Sequence, residues 1–178
     1  QLYNRVGFPE IAIDMLDQII DLDIDSSETA YFYGLLYKAK KDNNIDNLME
    51  FVDFTVDTTR KKQSYWQIIR ILKKNADNQS LEAELYLKAV NLYDKKYKYL
   101  PNLLNGFAWR MTELGLLLPE ALEKVNIALE FGEDLKILDT KAEVLWKLGR
   151  VDEALKVNSK CIQGNPEYQH YQDQKEKF

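Results

Sequence analysis

Histidine and cysteine are nearly missing from this chain, which has one of each, His170 and Cys161, in 178 residues. A lone cysteine cannot close an intramolecular disulfide, so cysteine usage does not point to a redox compartment. The two residues cannot supply a Cys/His set with metal-ligand spacing either. Glycine (7) and proline (4) are scarce, and an all-β or turn-rich chain would need more of both. Apolar runs stay short: the stretch from Leu114 to Pro119 is among the longest, whereas a membrane-crossing helix takes roughly 20 residues. The sequence holds no Gly-rich phosphate loop and no nucleophile elbow. It shows no signal peptide and begins at Gln1 rather than Met.

What the chain does have is apolar and charged residues in alternation. Hydrophobic residues make up 46% and charged residues 30%, enough for a real core beneath a solvated helical surface. The net charge of −5 lacks the strongly basic footprint of a nucleic-acid binder. The charge is uneven along the chain. Residues 1–60 hold 5 Lys/Arg against 12 Asp/Glu, residues 61–100 hold 9 against 4, and residues 101–178 hold 10 against 13. A basic middle therefore lies between acidic ends. The acidic set Asp14, Asp17, Asp21, Asp23 and Asp25 lacks the glycine-bearing loop and closing glutamate of a helix-loop-helix calcium site. It reads as a solvated helix face.

A recurring grammar organises the rest. Gly149 stops one helix, a new one opens near Asp152, and Gly164-Asn165-Pro166 ends it. Upstream, Gly115 closes a helix, Pro119-Glu120-Ala121 opens the next and Gly132 ends that one. Gly7-Phe8-Pro9-Glu10-Ile11-Ala12 says the same at the start. The second helices align as Ala12/Leu16/Ile19, Leu48/Val52/Thr55, Ala83/Leu87/Val90, Ala121/Val125/Ala128 and Ala154/Asn158/Cys161. Their leading residues are 36, 35, 38 and 33 residues apart. The first helices carry i, i+3, i+4, i+7 faces: Phe32/Leu35/Leu36/Ala39, Tyr65/Ile68/Ile69/Leu72 and Leu104/Phe107/Ala108/Met111. In the last pair the face is Leu138, Ala142 and Leu145, with Lys141 where an apolar residue is expected.

The pairs at about 102–131 and 135–163 resemble tetratricopeptide repeats, whose period is about 34 residues. Ala108, Gly115, Ala121 and Ala128 carry the resemblance in one, and Ala142, Gly149, Ala154 and Pro166 in the other. Residues 1–99 match more weakly but stay in register. Departures are Lys141, Asn158, the missing turn glycine near Asn43-Asn44 and a longer turn around Ala76 to Ser80. The resemblance implies an all-α fold of antiparallel helix pairs, stacked as a right-handed α-solenoid with no sheet. Residues 1–178 would form a single domain. It would comprise a partial repeat at 1–24, repeats at about 27–60, 63–99, 102–133 and 135–166, and a capping tail at 167–178 with Tyr168, Tyr171 and Phe178 at helical spacing. The partial first repeat would leave the face of Ile11, Met15 and Ile19 to be covered by a neighbouring molecule or another domain.

The family lines a concave groove with its first helices and binds extended peptides or partner helices there. By that resemblance the candidate groove residues here are Tyr33, Tyr37, Trp66, Arg70, Lys73, Asn105, Trp109 and Trp146. Trp and Tyr dominate interface hot spots, although aromatics beside an inward face can equally fill gaps between repeats. The family's basic and asparagine clamp for a C-terminal carboxylate is not reproduced: Asn105 stands beside Trp109, and Asp139 and Glu143 follow in the next pair. The expected function is a protein-interaction scaffold that is not an enzyme and has no cofactor, metal or nucleic-acid ligand. The alternative is a non-catalytic C-terminal accessory domain of a larger protein, such as a thioredoxin-fold enzyme; the compartment stays open between cytoplasm and bacterial periplasm. His170 reads as an exposed tail residue, and Cys161 as a small core residue.

Overall fold

The computed structural model describes residues 27–76 and 78–178, together with 11, 14–16 and 18. Every regular element among them is helical. Between Ser27 and Lys177 the helices are α1 (Ser27–Asp42), α2 (Asp46–Phe54), α3 (Thr58–Asn75), α4 (Gln79–Asn91), α5 (Leu100–Leu114), α6 (Leu118–Leu129), α7 (Leu135–Lys147), α8 (Val151–Gly164) and α9 (Gln169–Lys177). The chain divides into two compact units, Gln1–Ala89 and Val90–Phe178, with the division inside α4.

In the first unit, α1 packs on α2 and α3, and α2 packs on α3. Phe32, Leu35 and Ala39 of α1, Leu48, Phe51 and Val52 of α2, and Ile68, Ile69 and Leu72 of α3 are buried. Leu36 is only half-buried, because it turns toward a cleft rather than the core. The joints are made largely without glycine. Asn43 takes φ +52° after α1, supplying the left-handed turn that a repeat glycine would give, as asparagine can. The Asn44 side chain then accepts from the Asp46 N–H at 2.8 Å. Asp57 caps α3 by accepting from the N–H groups of Thr59 and Arg60. Ala76 ends α3 at φ +54°, and Asn78 Oδ1 accepts from Leu81 N at 3.0 Å to start α4. The turn is thus shorter than the sequence pattern predicts, since Gln79 and Ser80 are already helical.

In the second unit, α5 packs on α6 and α7, α6 on α7, α7 on α8, and α8 on α9. The small residues Ala121, Ala128, Ala142 and Ala154 are fully buried, as close helix packing requires. Gly115 and Gly149 adopt φ +68° and +75°, the left-handed helix stop read from the sequence. Leu117 adopts φ +48° ahead of α6, which carries Pro119 in its first turn. Gly164 belongs to α8 itself and acts differently: a Cβ there would come 2.7 Å from a Leu135 methyl. Asn158, a misfit in the apolar pattern, is fully buried and donates through Nδ2 to the Tyr171 carbonyl at 2.8 Å. It thereby ties α8 to the tail helix α9.

The N-terminal partial repeat can be followed only in part. Ile11, Asp14 and Met15 are exposed. Gly7, Pro9, Ala12, Ile19 and the acidic residues Asp17, Asp21, Asp23 and Asp25 lie outside the described residues.

Candidate functional site

Four of the eight expected groove residues meet in the first unit. Tyr33 and Tyr37 from α1, with Trp66 and Arg70 from α3, line a cleft of about 350 Å³ that also takes in Leu36, Lys40, Gln63 and Gln67. Each helix contributes an i, i+3, i+4, i+7 stripe: 33, 36, 37, 40 from α1 and 63, 66, 67, 70 from α3. The two stripes are offset by 30 residues throughout.

The helices run side by side in the same sense. At their beginnings, Arg60 Nη2 donates to Thr29 Oγ1 at 2.7 Å, and the Arg60 guanidinium lies 6.0 Å from the Phe32 ring centre. Towards their ends, Lys40 and Arg70 share the cleft. A stripe of this spacing covers about 10 Å of helix, enough for about three residues of an extended chain.

The cleft has a defined floor. Tyr33 and Tyr37 stack with ring centres 6.4 Å apart and planes at 28°. Trp66 is half-buried, and Tyr86 meets it edge-on at 5.1 Å, so its indole is buttressed from behind rather than free to swing. Lys73 does not line the cleft; its Nζ sits 5.1 Å from the Tyr86 ring centre. Lys40 and Arg70 are exposed at the far end, and no carboxylate is among the lining residues. Lys40 and Lys41 stand in the last turn of α1, which Asp42 closes, and Lys73 and Lys74 stand in that of α3.

The second unit uses its tryptophans otherwise. Trp109 is 37% exposed and donates through Nε1 to Glu113 at 2.9 Å. It borders a recess of about 190 Å³ with Thr112, Glu113, Glu143, Lys147 and Lys177. Trp146 is half-buried, and the tail covers it: Phe178 stacks on it at 5.8 Å and Lys177 Nζ lies 4.2 Å from its ring centre. Trp146 therefore packs the capping helix rather than facing the recess. Asn105 is half-buried and outside the recess, and its Oδ1 has no hydrogen-bond partner among the described residues.

One group departs from its sequence reading, and a second gains a role the sequence did not suggest. His170 is half-exposed rather than free in solvent, with Nε2 3.3 Å from Asp139 Oδ1. Glu143 is 6% exposed and holds the tail through Gln174 and Lys177. Burial pushes the carboxyl of Asp139 above the ordinary aspartate range and the Cys161 thiol up to about 11. Cys161 is fully buried, with Sγ 3.7 Å from the Leu135 carbonyl it faces, an inert position for a thiol. Among the described residues no group of three His, Cys, Asp or Glu could hold a metal ion. No helix among them is long and apolar enough to cross a membrane.

Sequence reasoning did not single out Lys40, Gln63 and Gln67, and it placed Leu36 on the inward face of α1 rather than in the cleft. The signal for them was present as the spacing shared with Tyr33, Tyr37, Trp66 and Arg70. Its offset of 30 residues is shorter than the repeat period sought, which hid it. No family model matches the chain, and no curated protein matches it either.

Proposed function

We propose that the chain is a helical-repeat interaction module of the tetratricopeptide type, binding a short segment of a partner protein against the first helices of its pairs. The observation that carries this reading is the α1/α3 cleft, where two helices present matched side-chain stripes to one open space with three aromatic rings along it. Large rings that are half-exposed yet held by neighbours suit binding, because little conformational freedom is left to lose when a partner arrives. The second unit supports the repeat assignment independently. Residues 109, 143 and 177, on α5, α7 and α9, stand 34 apart in sequence and border a single recess, the spacing of a tetratricopeptide unit.

The test is site-directed photo-crosslinking. A photo-reactive phenylalanine analogue at Gln67, inside the cleft, should join the chain to one discrete segment of a partner polypeptide. Trp66→Ala should abolish that product while leaving the helical circular dichroism signal intact. Crosslinks scattered over many proteins, and equally abundant without Trp66, would reject the reading.

A further inference from the structure

Resting on that reading, we infer that the α1/α3 cleft takes an extended acidic segment in which an apolar side chain is followed by an internal Asp or Glu. The apolar residue would lie over Tyr33, Tyr37 and Trp66, and the carboxylate between Lys40 and Arg70.

The argument is one of polarity along the cleft. The stripes run in the same sense with the same spacing, so in order along the helices Tyr33 corresponds to Gln63, Leu36 to Trp66, Tyr37 to Gln67, and Lys40 to Arg70. On the α1 side the first three levels are aromatic or apolar, on the α3 side they are Gln63, Trp66 and Gln67, and both members of the fourth are cations. No lining residue carries negative charge to neutralise them. Lys73 and Lys74, in the last turn of α3, add positive charge beyond Arg70. Gln63 and Gln67 stand one turn apart on the same wall. Their amides both donate and accept, the complement of an extended main chain.

A cleft about 10 Å long of about 350 Å³ holds two or three residues and no folded helix of useful length. An extended occupant therefore fits better than a helical one. A side-chain carboxylate is the matching anion because the cations are exposed. A partner chain can then continue past them in both directions.

The experiment uses a displayed library of random peptides selected on the intact chain. Selected peptides are then synthesised alongside counterparts in which Gln or Asn replaces each Glu or Asp. The inference expects enrichment of Asp or Glu after an aliphatic or aromatic residue. It also expects about tenfold or greater weakening in the neutral counterparts and in the Lys40→Glu/Arg70→Glu variant, and weakening with added salt on the unaltered chain. A peptide with Lys in place of its acidic residue should regain binding to the charge-reversed variant. Salt dependence on the unaltered chain keeps the question answerable should that variant fold poorly.

Peptides that need Trp66 but ignore both the charge reversal and the Gln replacement would overturn the acidic assignment and leave the interaction module standing. No peptide dependent on Trp66 would overturn both. A single-stranded oligonucleotide that binds more tightly than any peptide, through the same two cations, would overturn the inference in favour of a nucleic-acid ligand.

Discussion

Lys177 straddles the carboxylate of Glu143, its Nζ 2.7 Å from one oxygen and 2.8 Å from the other, across 34 residues of sequence. Gln174 donates to the same carboxylate at 2.9 Å. Glu143 is only 6% exposed, so water cannot readily replace these donors. Lys177→Met leaves a buried carboxylate with the glutamine as its remaining donor, at an expected cost of about 1–3 kcal/mol. Adding Glu143→Gln removes the stranded charge and should return most of that loss. Urea midpoints for the two single variants and the double variant measure the coupling. Full additivity would show that the pair does not hold α9 in place.

Asp139 makes the stability of the tail contact fall as pH rises. Burial favours its neutral form and raises its pKa on folding, against the opposing pull of His170; Glu143 adds to the rise. A carboxyl whose folded pKa is raised binds more protons folded than unfolded, so stability falls as pH rises through that window. The contribution is fully present below the ordinary aspartate value and is lost above the raised folded one. Asp139→Asn removes this slope. The stability of the parent relative to Asp139→Asn should therefore decrease as pH climbs from the ordinary aspartate range toward neutrality. An increase over the same interval, in melting temperatures taken across a pH series, would contradict the burial of this group.

Helix identity was readable from periodicity, and side-chain duty was not. Tyr65, Ile68, Ile69 and Leu72 are buried as their spacing predicts, as are Leu104, Phe107, Ala108 and Met111. Such faces depend only on the helical repeat, a local property. Asn158 and His170 escaped because their partners, Tyr171 and Asp139, lie on other helices. Pairwise contact of that kind leaves no mark on composition. Tyr33, Tyr37, Trp66 and Arg70 line one cleft, because positions beside an apolar stripe remain partly open whatever packs on the stripe. Trp146 shares that sequence position but received a lid, Phe178 and Lys177, from a segment distant in the chain.

The joints between helices offer a test that leaves side-chain contacts untouched. Ala76 sits at φ +54° and Gly149 at φ +75°, both at helix ends in the left-handed region. An L-residue with a Cβ pays about 1–2 kcal/mol there, and glycine does not. Ala76→Gly should stabilise the chain by about 0.5–1 kcal/mol after the extra freedom of glycine in the unfolded state is subtracted. Gly149→Ala should cost about 1 kcal/mol, although a Cβ at that position meets nothing within 4 Å. Opposite signs in matched chemical denaturation curves would locate the effect in the backbone. Equal signs would mean that at least one of these turns is not left-handed.

The three tryptophans should separate under one substitution. Trp109 is 37% exposed, and its indole nitrogen bonds a glutamate on its own helix. Trp109→Ala should change stability by no more than about 0.5 kcal/mol, as exposed positions do. Trp146 is half-buried beneath Phe178 and the Lys177 ammonium. Trp146→Ala removes the surface on which the end of α9 rests and should cost at least about 2 kcal/mol, toward the lower end for buried aromatic truncations. It should also quicken reaction of the otherwise shielded Cys161 thiol with an alkylating reagent, since Tyr171 of α9 packs in the same cluster as Cys161. Trp66 lies between these cases: Tyr86 supports its edge while its other surface opens to the cleft. Trp66→Ala should cost about 1 kcal/mol of stability but at least about 2 kcal/mol of binding to any segment seated in the cleft. Melting and peptide affinity measured on the same three proteins place each residue on both axes. If Trp66→Ala lowers stability as much as Trp146→Ala and leaves affinity unchanged, Trp66 is a packing residue and the cleft is not an anchor site. If Trp109→Ala alone abolishes binding, the partner docks on the second unit instead.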